Sequence, residues 1–369
     1  MDTVLEYIRW RGDIPLSCDG LRDADILVLS LLSYLDLKPV WSTHVEPFRL
    51  RDCKRMADAG KLRVLLTGTG LGYEQIMAAA INSRRFGELE LRDYVDLVRQ
   101  EPPTQFSALC FHAPNGLNFL TYRGTDDTLA GWEEDCMIGF TRTEAQKLAL
   151  DYAKQHLKPG QRWYMAGHSK GGNLALFAAC NLPDAALNTL ERIYILDGPG
   201  LCPEVMDAKA FTRIEKRCRR ISPSFSVIGK IFEPQISDAR IVRSTVSGLL
   251  QHSLASWGIE YGELALCREH DPTSVWLNAA IRSWLANMSQ ENRVIFVHEL
   301  FAALSAGGAR TVTELDKGGR AGYELILRKL LESSDVTRHT LTDLPLQAVS
   351  QAVNLLRRQN TQAPKGSEL

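Results

Sequence analysis

The feature that most constrains the fold of this 369-residue chain is the pentapeptide Gly-His-Ser-Lys-Gly at residues 167–171. The apolar segment 162–166 precedes it and can form a strand, and the small apolar residues 172–180 follow it and can form a buried helix. A glycine-flanked turn in this context is typical of a nucleophile elbow, in which a strained serine projects at a helix N-terminus that favours an anion. We therefore predict that Ser169 is an activated nucleophile, against the alternative of a plain glycine-rich turn.

Composition narrows the classes of protein. The 43 basic and 44 acidic residues give a net charge of −1 without a basic stripe, so no nucleic-acid partner is expected. The 8 cysteines show no C-x-x-C spacing, which predicts buried free thiols and neither a metal site nor a cofactor. The N-terminus does not resemble a signal peptide, and the longest apolar stretch, 26–35, is too short to span a bilayer. We expect a cytoplasmic protein without a transmembrane segment, for which peripheral membrane contact is open.

The order of patterns along the chain predicts an α/β protein. Helices are expected at 26–35, 73–82 and 89–99. Segments 106–112 and 117–122 flank a Pro-Asn-Gly turn, which predicts a hairpin. After a helix at 143–157 and the elbow, strands are expected at 192–196, near Arg220 and at 239–243. This alternation favours a mostly parallel sheet.

These patterns divide the chain into four parts. We predict a helical N-terminal segment over 1–100 that packs on the core, and an α/β core over 101–272. Within the core, 200–238 is a candidate lid or insertion because it has three prolines and few clear elements. A C-terminal helical region is expected over 273–358, including a helix at 344–357, followed by a disordered tail over 359–369. Nothing in these patterns predicts an oligomeric state.

A serine nucleophile needs a base, and in α/β-hydrolases the partners follow in the order serine, acid, histidine. Four histidines follow the serine: His252, His270, His298 and His339. The last two lie in or beside the late helices. His252 lies on a short loop soon after the strand at 239–243. In this fold the base lies on a loop beyond the last strands of the sheet. We predict His252 as the base, with His270 as the alternative.

The acid is predicted from its place at the end of a strand. Asp197 directly follows the strand at 192–196, and a carboxylate at the carboxyl end of a strand faces the crevice of an α/β sheet. Asp238 is the alternative, although it stands at the wrong end of its strand. An aspartate beside a glycine is also common as a turn residue that caps the backbone.

The tetrahedral intermediate of acyl transfer needs two hydrogen-bond donors, which form the oxyanion hole. The backbone N–H of Lys170, directly after the nucleophile, is the first candidate. Thr125 leaves the strand that ends at Tyr122 and offers an N–H and a hydroxyl as the second. The alternative is a polar turn in which the threonine caps a short helix.

Two resemblances extend these predictions. The segments 122–125, 132–135 and 167–172 resemble the oxyanion loop, the W-x-x-D motif and the elbow of class 3 lipases. Most of 1–300 resembles the Mbeg-like family, a bacterial branch of the α/β-hydrolases, through the segments 7–13, 29–36, 124–127, 167–175, 197–200 and 251–257. This resemblance implies an α/β-hydrolase fold and a serine hydrolase whose substrate is unassigned.

One segment departs from the class 3 pattern. Those lipases usually place their acid in an N-D-I-V-P-like segment, and the similar stretch 222–228 carries serine instead. The departure favours Asp197, whose position resembles the post-strand acid of the pancreatic lipases.

The leading functional hypothesis is an intracellular, lipase- or carboxylesterase-like serine hydrolase that cleaves an acyl ester or lipid through an acyl-enzyme. A thioesterase or acyltransferase would use the same residues. A non-catalytic binding protein on the same fold is the alternative from another class, because a fold does not dictate a function.

Overall fold

The computed structural model describes residues 1–43, 47–66, 71–126, 128–311, 314 and 319–342. The chain divides into two compact units, Met1–His270 and Asp271–Leu369. The predicted N-terminal segment and α/β core thus lie in the same unit. The predicted helix at 344–357 and the predicted tail at 359–369 lie outside the described residues.

A mixed sheet forms the centre of the first unit. Its strands among the described residues are β1 (Phe48–Arg49), β2 (Glu90–Arg99), β3 (Thr104–His112), β4 (Leu117–Tyr122), β5 (Arg162–His168), β6 (Leu190–Leu196), β7 (Cys218–Pro223), β8 (Ala239–Val242) and β11 (Leu266–Cys267). They lie in the order β1-β2-β3-β4-β5-β6-β7-β8-β11. The strands from β4 to β8 are parallel, and the pairs at both edges are antiparallel. A separate hairpin pairs β9 (Ile259–Glu260) with β10 (Glu263–Leu264).

Helices precede and connect the strands. In the first unit they are α1 (Val4–Arg11), α2 (Leu16–Asp19), α3 (Asp23–Leu32), α4 (Lys38–Trp41), α5 (Lys54–Asp58), α6 (Tyr73–Asn82), α7 (Arg84–Gly87), α8 (Leu129–Met137), α9 (Glu144–His156), α10 (Lys170–Asn181), α11 (Asp184–Leu187) and α12 (Ala208–Ile214). In the second unit they are α13 (Pro272–Ala286), α14 (Gln290–Leu304) and α15 (Gly319–Leu331). No described helix is both long enough and apolar enough to cross a membrane.

Local chemistry explains where the central helices stand. α9 begins after Thr143, whose hydroxyl accepts the N–H of Gln146 in a capping box. α10 is buried from Lys170 to Cys180, and its small residues let it pack closely against β5 and β6. The N-terminal helices are joined by a buried ion pair between Arg85 and Asp25, in which the Nη2–Oδ2 distance is 2.6 Å. α3 is buried along its whole length and carries the chain to Tyr34, a residue of the site described below.

The structure corrects two expectations for the first unit. Residues 90–99 form strand β2, so the helix expected at 89–99 is wrong and the N-terminal segment over 1–100 is not wholly helical. A bulge explains the error: Arg92 pairs with Cys110 and Val95 with Ala108, so two residues of β2 oppose one of β3. The extra residue breaks the alternation of a strand and leaves a spacing that resembles a helix.

The second correction concerns the candidate lid at 200–238. This segment contains β7, which lies between β6 and β8 in the central sheet. It is therefore not one insertion but two connections, one on each side of a core strand. Helix α12 belongs to the first of them.

Candidate active site

Ser169 lies at the turn between β5 and α10 in a backbone conformation that side chains rarely adopt. Its φ is 56° and its ψ is −127°, and its N–H donates to the carbonyl of Leu196 at 2.9 Å. The turn tolerates no side chain at Gly167, because a Cβ there would lie 2.0 Å from the carbonyl oxygen of Gly171. A strained serine between a strand and a helix N-terminus is the geometry of a nucleophile elbow.

The structure brings the predicted base and acid into contact. The Nδ1 atom of His252 lies 2.7 Å from Oδ2 of Asp197. Asp197 directly follows β6, is buried, and has a φ of 44°. Its second oxygen, Oδ1, accepts a 2.5 Å hydrogen bond from the hydroxyl of Ser226. Burial raises the pKa of this carboxyl, but the hydrogen bond and charge of His252, aided by Ser226, bring its pKa below the ordinary value.

The alternative residues are engaged elsewhere. The carboxylate of Asp238 forms ion pairs with Arg192, Arg219 and Arg240. Nδ1 of His270 lies 3.2 Å from the carbonyl oxygens of Pro223 and Ser224. In the described part of the chain, neither side chain has a hydrogen bond to Ser169, His252 or Asp197. His298 lies on α14 and His339 in the helical residues 335–342, both in the second unit.

The residue before the serine joins the loop of His252 to the elbow. Nε2 of His168 lies 2.8 Å from the backbone carbonyl of His252, and the two imidazole rings lie 4.6 Å apart by their centroids. Within the described residues, no hydrogen bond joins the hydroxyl of Ser169 to the imidazole of His252. The hydrogen bond between the His252 loop and the elbow is therefore made by the backbone carbonyl of His252, while its imidazole packs near the ring of His168.

His168 is neutral in this environment. Burial, together with the nearby His252, lowers the pKa of His168 to about 3. Nδ1 of His168 lies 2.9 Å from the hydroxyl of Tyr34, and that hydroxyl also accepts the N–H of Gly124 at 3.1 Å. A neutral imidazole that donates from Nε2 must accept at Nδ1, so the Tyr34 hydroxyl donates to it. One chain of hydrogen bonds thus runs from Gly124 through Tyr34 and His168 to His252.

The candidate oxyanion loop lies beside the elbow. A Cβ at Gly124 would lie 3.2 Å from the Cβ of Ser169. The hydroxyl of Thr125 donates to Oδ2 of Asp135 at 2.5 Å, so its only proton is in use when this carboxylate is charged. The backbone N–H of Thr125 has no hydrogen-bond partner among the described residues. Lys170 is the first residue of α10, where a helix leaves its N–H groups without partners.

The side chain of Lys170 holds the same turn through a buried ion pair. Its ammonium lies 2.5 Å from Oε2 of Glu134, and both side chains are buried. Oε2 of Glu134 also accepts the N–H of Gln105, and Oε1 accepts the N–H of Ala145. A buried ion pair with this many additional hydrogen bonds holds α10, β3, α8 and α9 in a fixed relation.

Several residues of this site escaped the sequence predictions. Tyr34 and Ser226 are distant in sequence from Ser169 and Asp197, and His168 stands within the elbow pentapeptide, but no local pattern marks the contacts of these three side chains. Asp135 and Glu134 stand in the W-x-x-D segment that carries the resemblance to class 3 lipases. That motif pointed to these residues, but no role for either side chain followed from it. Ser226 lies in the segment 222–228, where the resemblance pointed to an absent acid. Its hydroxyl contacts Asp197, the candidate acid that follows the neighbouring strand β6.

Comparisons with known proteins place the chain in a family. Two solved structures are similar to it. An M37 lipase has 16% identity and a TM-score of 0.35, and the match covers 57% of this chain and 70% of the lipase. A fungal lipase in an inhibitor complex has 12% identity and a TM-score of 0.33, and the match covers 60% of this chain and 78% of that lipase. A comparison with curated proteins found no match. The sheet with its elbow is an α/β-hydrolase fold. A model of the Mbeg1-like family matches residues 80–302, and the chain belongs to this family.

Proposed function

We propose that this protein is a serine hydrolase, lipase- or carboxylesterase-like, that cleaves an acyl ester through an acyl-enzyme. The observation that carries the proposal is the imidazole of His252, held at Nδ1 by the buried carboxylate of Asp197 beside the strained Ser169. A carboxylate that orients an imidazole supports this proposal, because such an imidazole activates a serine hydroxyl once it reaches it.

In the proposed reaction, Ser169 Oγ attacks the ester carbonyl and its proton passes to Nε2 of His252. Nδ1 cannot take this proton because it donates to Asp197. The imidazolium then gives the proton to the leaving alkoxide as the C–O bond breaks. Water attacks the acyl-enzyme in the same way, with His252 as the base and Ser169 as the leaving group. This sequence requires Nε2 of His252 to approach the Ser169 hydroxyl when substrate is bound.

The backbone N–H groups of Thr125 and Lys170 are the proposed donors to the oxyanion. The close approach of Gly124 to Ser169, where a Cβ on the glycine would lie 3.2 Å from the serine Cβ, supports this assignment because it places the loop at the elbow. The hydroxyl of Thr125 becomes a further donor only when Asp135 is protonated. Burial raises the pKa of the Asp135 carboxyl, although the charge of Lys170 and the hydrogen bond from Thr125 oppose this shift.

An apolar substrate fits the surface near the base. Leu249 and Leu250 precede His252 on its loop and are 66% and 63% exposed. Trp132, which follows the oxyanion loop, is also exposed. Exposed large apolar side chains beside a site favour contact with an aliphatic ester or a lipid surface. The cytoplasmic location stays a prediction from the sequence.

Two other functions use the same residues differently. A thioesterase would release a thiolate, and an acyltransferase would pass the acyl group to an acceptor other than water. A binding protein without catalysis would need none of the strain at Ser169 or the His252–Asp197 contact. Those two features favour an enzyme over a binding protein.

The test is a panel of 4-nitrophenyl esters and acyl thioesters of increasing chain length, assayed on the whole chain. Ser169→Ala is the blank, and Ser237→Ala, an exposed serine that contacts Glu215, is the matched control. We expect ester turnover in the protein and in the control and none in Ser169→Ala. Faster turnover of thioesters would favour the thioesterase. Equal background rates in all three proteins would refute the hydrolase.

A further inference from the structure

A second group of reactive side chains lies away from the proposed active site. Asp93 on β2, Cys110 on β3 and His156 on α9 each offer one atom, an oxygen, a sulfur and a nitrogen, and these atoms all lie within 4.8 Å of one another. Cys110 pairs with Leu120 on β4, which pairs with Met165 on β5, four residues before Ser169. Strand spacing and rise put this cluster roughly 16 Å from the elbow.

The distance between two of these atoms fits a shared metal ion. Nδ1 of His156 lies 3.3 Å from Oδ2 of Asp93. A charge-assisted N–H···O bond is shorter, at about 2.7–2.9 Å. Two ligands bound at about 2.0–2.1 Å to a tetrahedral zinc ion lie about 3.3 Å apart. The observed separation of this pair is therefore compatible with a shared zinc ion.

The fold positions each ligand by a specific device. Asp93 lies in the bulge of β2, with a φ of 59°, so its carboxylate does not follow the alternation of the strand. Cys110 lies on the adjacent strand β3, where it pairs with Arg92, the residue before Asp93. His156 is the last residue of α9, where the helix dipole favours a cation.

A surrounding layer orders the same three residues. Tyr152, one turn before His156, donates its hydroxyl to the backbone carbonyl of Asp93 at 2.8 Å and lies 3.3 Å from the sulfur of Cys110. Its ring packs against Phe106 and Tyr122. Such outer contacts orient metal ligands and restrict solvent around them. Asp93 remains 39% exposed through its side chain, which leaves a path from solvent for an ion.

We propose that Asp93, Cys110 and His156 bind one Zn²⁺ ion, with a solvent molecule as the fourth ligand. A mixed set of thiolate, imidazole and carboxylate is a donor set that zinc accepts, whereas Mg²⁺ and Ca²⁺ prefer oxygen alone. Cys110 loses its thiol proton to solvent on binding. The ion ties the bulge of β2 to the end of α9 and stabilises that edge of the sheet. The sequence predicted no metal site because its cysteines lack C-x-x-C spacing. That spacing cannot reveal ligands that come from three separate elements.

The experiment titrates the chelator-treated whole chain with Co²⁺ as a spectroscopic substitute for zinc. We expect one equivalent to produce a thiolate-to-cobalt charge-transfer band, and Zn²⁺ to displace it. Cys110→Ser should abolish the band, and His156→Gln and Asp93→Asn should each weaken binding by at least about tenfold. Cys180→Ser, at a buried cysteine that is not one of the proposed ligands, is the matched control and should keep the band.

Thermal unfolding gives an independent readout. Zn²⁺ should raise the Tm of the protein and of Cys180→Ser but not that of His156→Gln, because binding to the native state alone stabilises it. If Cys110→Ser does not fold, the two half-buried ligands, His156 and Asp93, provide the same test. A band that survives in Cys110→Ser, or uptake by the protein no greater than by the triple variant Asp93→Asn/Cys110→Ser/His156→Gln, would overturn the proposal.

Discussion

Asp197 and Asp135 stand on opposite sides of Ser169 in sequence and meet the same kind of donor. Each accepts a 2.5 Å hydrogen bond from a hydroxyl, Asp197 from Ser226 and Asp135 from Thr125. Yet the pKa of Asp197 is lowered and the pKa of Asp135 is raised from the ordinary value. The difference lies in the second partner. Asp197 contacts the imidazole of His252, whereas Oδ1 of Asp135 is buried without a hydrogen-bond partner among the described residues.

Under the proposed reaction, these two similar side chains have different tasks. Burial raises the pKa of both carboxyls, and only a contact with a cation-forming group reverses it. The charged form of Asp197 suits a residue that must stabilise an imidazolium. The raised pKa of Asp135 suits a residue that orients the Thr125 hydroxyl at the candidate oxyanion loop. The Gly124–Tyr34–His168–His252 hydrogen bonds join the two sides.

The largest expected effect comes from Asp197→Asn. The amide leaves the packing intact but favours the wrong tautomer of His252, so kcat/KM should fall about 10³- to 10⁴-fold. Asp238→Asn is the matched control, because Asp238 forms ion pairs away from the site. Ester hydrolysis by the two variants checks the assignment. Full activity in Asp197→Asn would show that Asp197 is not the acid that orients His252.

The same substitution at the other aspartate should cost less. Asp135→Asn keeps an acceptor for the Thr125 hydroxyl, so kcat/KM should fall by less than about 10²-fold, the lower end of the cost of an oxyanion donor. Thr125→Val, which keeps the backbone N–H, should lie in the same range. Steady-state kinetics of both variants measure this. A loss at Asp135→Asn as large as at Asp197→Asn would show that the two carboxylates do not differ in task.

Tyr34→Phe tests the connection between the two sides. It leaves Nδ1 of His168 and the N–H of Gly124 without their partner, and the loss of about 1.4 kcal/mol in positioning should lower kcat about tenfold with KM unchanged. Tyr194→Phe, which removes another buried hydroxyl, bonded to Asp23, is the control. Equal kcat values in the protein and both variants would show that Tyr34 is not a positioning residue.

The fourth prediction concerns the pH dependence of stability and not catalysis. The folded pKa of His168 is about 3, below its value of 6.5 when exposed, so the unfolded chain binds an extra proton between these pH values. The stabilisation is complete above pH 6.5 and is lost as the pH falls toward 3, by about 1.4 kcal/mol per pH unit. Urea unfolding at pH 6.5, 5.5 and 4.5 should show this decline in the protein and a shallower one in His168→Asn. Parallel declines would contradict a neutral, buried His168.

The parts of the site that lie in local patterns were open to prediction from the sequence. Ser169 follows from a strand, a turn and a helix that are contiguous in the chain. Asp197 and His252 follow from the rule that functional side chains gather at the carboxyl ends of parallel strands, and the structure brings these two side chains together. Their catalytic roles remain the proposal above.

What depends on long-range packing was not predictable. The Tyr34–His168 contact depends on α3 packing under the elbow, which no spacing reveals. The bulge at Asp93 turned a strand into an apparent helix, because two residues opposite one remove the period of two. Asp93 is also the residue that the bulge turns toward Cys110 and His156, so the feature that hid the strand is the one that forms the proposed zinc site.

We propose that Ser169 is a nucleophile activated by His252 and Asp197. The most direct measurement is labelling of the whole chain by a fluorophosphonate probe, with the modified residue located by mass spectrometry. We predict one label at Ser169, no label in Ser169→Ala, and labelling slowed strongly in folded His252→Gln and Asp197→Asn. Labelling of Ser169→Ala at the rate of the unaltered protein, or no label on the unaltered, folded protein, would contradict the account.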